Sequence, residues 1–223
     1  MTAQDLPMPH RPRLWLPLPL LVVFLGLPAL IELLLIAGDL GWLPLRGVRS
    51  LAYQNGAFWA GLLDNWRPNY AAQPWLMFLT YSFLHAGFGH LVGNMVALVV
   101  LMQLVARRLT AWSFTAVYLI SAIGGGLGFA LLGQAVNPMV GASGALFGIA
   151  GAWKWIDWQR VASGPARAWM ILRDIALLSL LNLVIWVTEG GALAWEAHLG
   201  GFLAGLAAMA VLDRRAGPGP RGG

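Results

Sequence analysis

The chain alternates long apolar stretches with short segments in which its charged residues collect. Crossing about 30 Å of hydrocarbon takes about 20 mostly apolar residues. Six stretches fit that requirement, at residues 14–37, 80–105, 112–132, 142–158, 168–187 and 194–212. They predict six membrane-spanning helices. The first is too long and too uninterrupted for a cleaved signal peptide, and no small-residue cleavage site follows it directly, so it is read as a retained helix. Residues 38–74 are rich in Trp, Tyr and Pro, and 48–63 mixes aromatic with polar positions. That pattern predicts short amphipathic helices lying in the membrane interface. Residues 217–223 are Gly/Pro-rich and predict a disordered tail. No repeat of 20–50 residues is visible. The expected organisation is a short N-terminal tail (1–13), one transmembrane domain (14–213) and a short C-terminal tail (214–223).

Composition strengthens this picture. Apolar residues make up 59% of the 223 positions, charged residues only 10%, and the mean hydropathy is +0.70. A soluble domain carries about 25% charged residues to cover its surface, and a disordered chain is polar; both classes are excluded. The expected fold is an all-α, polytopic membrane bundle. The absence of cysteine removes disulfide frameworks, iron–sulfur sites and a cysteine nucleophile. The net charge of +5 does not form a basic face for nucleic acid, because the basic residues stand in ones and twos between apolar runs. They act as orientation signals instead. With the N-terminus inside, eleven of the fourteen Lys and Arg residues fall on inner segments, and only Arg46, Arg49 and Arg67 fall outside. Both termini are therefore expected in the cytoplasm.

Polar groups within a membrane are costly and each calls for an explanation. Those within the predicted spans include Glu32, His85, His90, Asn94, Ser143, Asn182 and His198. Three of the four histidines thus lie at membrane depth. Ser143 sits in the run Val140-Gly141-Ala142-Ser143-Gly144-Ala145 at the start of the fourth span. Free N–H groups at a helix start suit a developing negative charge, although small residues also serve helix packing. A serine needs a base to become a nucleophile, and histidine is the usual one. His198, Gly201 and Gly205 share a helix face. Packing that glycine face on the seam Gly144, Gly148 and Gly151 would bring Ser143 within reach of His198. His90 and Asn94, four residues apart, present donors on one face. His85, placed on the same span, points elsewhere and ties down the outer loop. A metal site fits poorly, since no His-Glu-x-x-His arrangement exists and catalytic zinc wants three protein ligands. Glu32 is expected to hydrogen-bond inside the bundle, and Asn182 to bridge helices.

Three motifs then resemble one family. They are Phe83-Leu84-His85-Ala86 with His90-Leu91 and Asn94-Met95, Gly141-Ala142-Ser143-Gly144-Ala145 with Phe147-Gly148, and Ala197-His198-Leu199-Gly200-Gly201 with Gly205. Together, over roughly residues 70–212, they resemble the rhomboid intramembrane serine proteases. The resemblance implies a six-helix rhomboid-like bundle with a membrane-embedded first outer loop. It implies Ser143 as nucleophile and His198 as base, with His90, Asn94 and the Ser143 N–H at the oxyanion. His85 would support the loop, Phe147 would stack on the base, and Gly201 and Gly205 would be packing glycines beside Gly141 of the serine motif. The fifth helix would be a lateral gate and residues 188–195 a cap. Single-span membrane proteins are the implied substrates, cut near the outer face, with no cofactor. A bacterial inner membrane is the expected location, and a non-catalytic binder or chaperone on the same fold is the alternative. Two positions depart from the family: Leu76 follows Trp75 where arginine is common, and Ala106 precedes Arg107 where glutamate is common. They bear on loop rigidity and stability rather than on the chemistry.

Overall fold

The computed structural model describes residues 16–44, 46–133, 136–188, 191 and 193–215. Residues 1–13 and 216–223 of the predicted tails, the start of the first span and part of the 188–195 cap lie outside the described residues, while positions 214 and 215, expected in the C-terminal tail, end the last helix. The described chain is helical, with one isolated antiparallel bridge between Phe58 and Met139. The helices are α1 (Leu18–Asp39), α2 (Val48–Gly56), α3 (Gln73–Thr80), α4 (Phe88–Val105), α5 (Ala111–Leu132), α6 (Ser143–Gln159), α7 (Pro165–Thr188) and α8 (Trp195–Arg215). Five of them, α1, α4, α5, α7 and α8, are long and apolar enough to cross a membrane. Helices of this length and apolar composition make the chain an integral membrane protein. The remaining predicted span, α6, has 17 residues, about 25 Å of helix. It is enclosed by its neighbours, with Gly144 to Ala152 buried except for Phe147.

Several helix boundaries have local causes. Thr110 caps α5 by accepting the Ser113 N–H at 3.1 Å, and α7 begins on Pro165, whose missing N–H costs nothing in a first turn. In α1, the turn Val22–Gly26 is a π-turn, with the Leu27 N–H reaching the Val22 carbonyl. Pro28 follows, and its ring cannot accept the close approach of the carbonyl four residues back, so the helix widens before it.

The second predicted span is corrected. Residues 80–105 do not form one helix. α3 tightens into a 3-10 turn at Tyr81–Phe83, residues 84–87 leave the helix, and α4 starts at Phe88. Gly87 has φ 111°, a conformation that glycine adopts freely and side-chain-bearing residues do not. The carbonyls freed by the break find other partners. Tyr81 O accepts from the Gly141 N–H at 3.0 Å, and His85 O accepts from Arg49 at 3.1 Å and Tyr53 at 2.7 Å. His85 is therefore fully buried beside α4, not on it.

Between lipid-facing helices there is no hydrophobic gain from association, so close packing of small residues decides contact. α8 packs on both α6 and α5. A Cβ at Gly201 would strike the Gly144 carbonyl, one at Gly205 the Gly148 carbonyl, and one at Gly151 the Phe202 carbonyl. The expected glycine seam is thus backbone on backbone. The other side of α8 repeats the device, with Gly200 against Gly124 and Gly128 of α5. α1 closes the bundle through Phe24, 4.5 Å from the Tyr118 ring and 5.8 Å from Phe114. α7 is peripheral, with little of its length buried.

The loop between α1 and α3 is tied down although no arginine follows Trp75. Arg49 of α2 donates to both carboxylate oxygens of fully buried Glu32, at 2.8 and 3.1 Å, and to Asp39 at 2.6 Å. Burial works against the Arg49 charge, but its bonds to Glu32, Asp39 and Tyr53 outweigh that and raise its pKa. Glu32 therefore does bond inside the bundle, as its position implied.

Candidate active site

The site is built where α6 begins. The chain reaches Ser143 through a segment fixed at three points. Phe58 and Met139 exchange N–H···O bonds of 2.9 and 3.0 Å, and the Gly141 N–H bonds to Tyr81. Gly141 has φ 121°, and a Cβ there would lie 2.7 Å from the His90 ring. Both the turn and the approach of His90 demand glycine. Ser143 is the first residue of α6, where the opening N–H groups have no intrahelical partner.

Across the glycine seam lies His198, in the first turns of α8 and almost fully buried. Its Nε2 is 2.8 Å from the Ser143 Oγ. Phe147, one turn along α6 from Ser143, lies flat on the imidazole, with centroids 4.1 Å apart and planes 10° from parallel. The other ring nitrogen, Nδ1, is 2.6 Å from Oδ1 of Asn182 on α7. Both nitrogens are thus occupied, and neither is open to Glu196, which lies two residues before His198.

The remaining predicted residues are arranged as follows. His90 lies against Gly141, with its ring centroid 5.3 Å from that of His85, and its Nδ1 accepts the Ala86 N–H at 3.3 Å. Asn94 is buried on α4, and its Nδ2 donates to the His90 carbonyl at 2.8 Å. The structure brings Ser143, His198 and Phe147 into direct contact and sets His90 beside the serine loop. Asn94 is one helical turn from His90 with one N–H turned onto its own helix. Gly201 and Gly205 act at the seam. Asn182 does bridge helices, and its partner is the site histidine. An isolated polar residue in an apolar run was the only sequence signal for it. A pocket of about 360 Å³ opens beside it, lined by Asn182, Leu183, Trp186, Leu193 and Trp195.

Chemically, a hydroxyl bonded to a buried imidazole at the mouth of a helix is an arrangement for nucleophilic attack on a carbonyl. Comparison with known proteins identifies the family. The family model described as "Rhomboid domain" matches residues 72–215. The chain is 35% identical over 130 residues to RHOMBOID-like protein 5 of Arabidopsis thaliana, covering 56% of this chain and 40% of that protein. It is 33% identical over 139 residues to Rhomboid-like protease 3 of Toxoplasma gondii, covering 61% and 51%. It is 27% identical over 171 residues to a putative rhomboid protease of Bacillus subtilis, covering 74% and 83%. The chain spans about two fifths to half the length of most of the curated relatives it matches.

Proposed function

The chain belongs to the rhomboid family, and on that premise we propose that it is an intramembrane serine endopeptidase working through a Ser143–His198 dyad. The observation that carries this reading is the 2.8 Å contact between the Ser143 Oγ and the His198 Nε2, in a chain of apolar helices. Ser143 attacks the scissile carbonyl while His198 takes its proton. The oxyanion is received by the Ser143 N–H, His90 and Asn94, whose carboxamide has two N–H groups and has committed one to His90. His198 then protonates the leaving amine, and water attacks the acyl-enzyme with His198 again as base. Phe147 keeps the imidazole plane in place, and His85 supports the outer loop.

The substrates on this reading are single-span membrane proteins cut near the outer face. They enter beside α7, whose length is largely unburied. α6 is counted as the sixth crossing, shortened because the site must meet water at its outer end. The outer loop, with Trp42, Leu51 and Trp75 exposed, lies in the outer leaflet. The charge distribution puts both termini in the cytoplasm, and a bacterial inner membrane is the proposed residence.

The test is cleavage of a single-span model protein by the purified chain in liposomes. Wild type is expected to cut. Ser143→Ala and His198→Ala should fall below about 10⁻³ of that rate, and a chelator should change nothing. Cleavage surviving Ser143→Ala would sink the proposal. A folded wild type that neither cuts nor reacts with a fluorophosphonate would favour a non-catalytic binder.

A further inference from the structure

We propose that Asn182 is a positioning residue for His198, which makes the base dependent on where α7 sits. The inference rests on the protease reading above for its kinetic consequences, but not for its structural ones. Asn182 Nδ2 donates to the Leu178 carbonyl of its own helix at 2.9 Å. That bond fixes which end of the carboxamide faces α8: the nitrogen is used on the backbone, so the oxygen is presented to His198. An amide oxygen can only accept. At 2.6 Å it therefore requires the proton on Nδ1 of the imidazole. A neutral imidazole carries one proton, so Nε2 is left with its lone pair facing the Ser143 hydroxyl at 2.8 Å. This is the tautomer a general base needs. The opposite tautomer would point an N–H at the serine and take no proton from it.

The element that carries Asn182 gives this bond a second meaning. The half-buried or buried positions of α7 are Arg167, Met170, Ile171, Asp174, Leu178, Asn182 and Ile185, a single stripe on an otherwise exposed helix. Toward the inner end, buried Asp174 of that stripe meets Lys154 at 3.3 Å and the Trp158 Nε1 at 3.0 Å. Asn182 is two turns further along and supplies the polar contact at the catalytic end. An outward swing of α7 pivoting on Asp174 takes the acceptor away from Nδ1. The imidazole is then free to change tautomer, so the base is set only while α7 lies against the bundle.

Three variants and two readouts test this. Asn182→Ala is expected to lower kcat roughly 10- to 100-fold, a part of the about 10²–10⁴ that a general base supplies, with KM little changed. Asn182→Asp, which keeps an acceptor at Nδ1, should restore most of kcat, and Asn182→Leu should behave like Asn182→Ala. The second readout is the nitrogen NMR spectrum of histidine-labelled protein, with the His198 signals assigned by comparison with His198→Ala. Wild type and Asn182→Asp should show Nδ1–H, and Asn182→Ala a mixture of tautomers. Unchanged kcat and an unchanged Nδ1–H signal in Asn182→Ala would overturn the proposal and leave Asn182 as a helix bridge. If wild type cleaves nothing but the tautomer still shifts in Asn182→Ala, the positioning role stands and the protease reading is the one that fails. An Asn182→Ala variant with a lowered Tm does not blur the result, because Asn182→Asp and Asn182→Leu report on the acceptor separately from the packing.

Discussion

Arg49 shows how much can hang on one side chain. It is the cation that faces Glu32, a carboxylate with no exposed surface. Removing it leaves that charge buried and unpaired, which in comparable sites costs about 3–5 kcal/mol. Arg49→Ala should therefore lower the Tm in detergent markedly, and Arg49→Met combined with Glu32→Leu should recover most of the loss, since replacing both partners removes the desolvation cost as well. Equal destabilisation by the single and double variants would show that the pair does not anchor the loop. The individual residues were also the most legible part of the chain. Ser143, His198 and Phe147 each stood out as a polar group in an apolar run or as a position in a short motif, and all three meet in space. Arg49 did not stand out. Its role comes from a contact with α1 seventeen positions earlier, and nothing in the local pattern of α2 encodes it. Asn182 was legible as an anomaly but not as a neighbour of His198, because pairing α7 with α8 depends on a three-dimensional fit between helices that share no small-residue seam.

At the scale of elements, the glycines split into two classes that look alike along the chain. Gly201 and Gly205 lie on backbone of α6. Gly93, by contrast, has nothing within 4 Å of where its Cβ would be. Gly205→Ala is expected to cost about 1–3 kcal/mol by overpacking and to weaken the Ser143–His198 approach with it. Gly93→Ala should be neutral or slightly stabilising, as glycine is a poor helix former. Thermal denaturation of the two variants side by side checks this, and equal shifts would contradict it. The starts of α5 and α7 fall within a few residues of the hydropathy bounds at 112 and 168, and Thr110 and Pro165 fix them locally. The break at residues 81–87 was not readable from hydropathy, because Tyr81-Ser82-Phe83-Leu84 continues the apolar run and only Gly87 hints at a stop. What ends the helix there is long-range: Gly141, Arg49 and Tyr53 take the carbonyls that the next turn would have used.

For the whole molecule, the orientation in the membrane can be measured directly because the sequence has no cysteine to remove. Asp64→Cys in the outer loop is expected to react with an impermeant maleimide on intact cells, and Ser163→Cys, between α6 and α7, only after permeabilisation. The reverse result would invert the topology. The order of helices in the chain also has a consequence of its own. α8 lies between α5 and α6 with bare glycine backbone on both sides, yet it follows both of them in sequence. During synthesis, the serine helix is made and inserted before the helix that carries the histidine exists. On the proposed mechanism, Ser143 is without His198 until α8 enters a slot lined by the glycines of α5 and α6. If the dyad works as proposed, the chain is chemically silent until α8 docks, and the packing step is also the step that arms it.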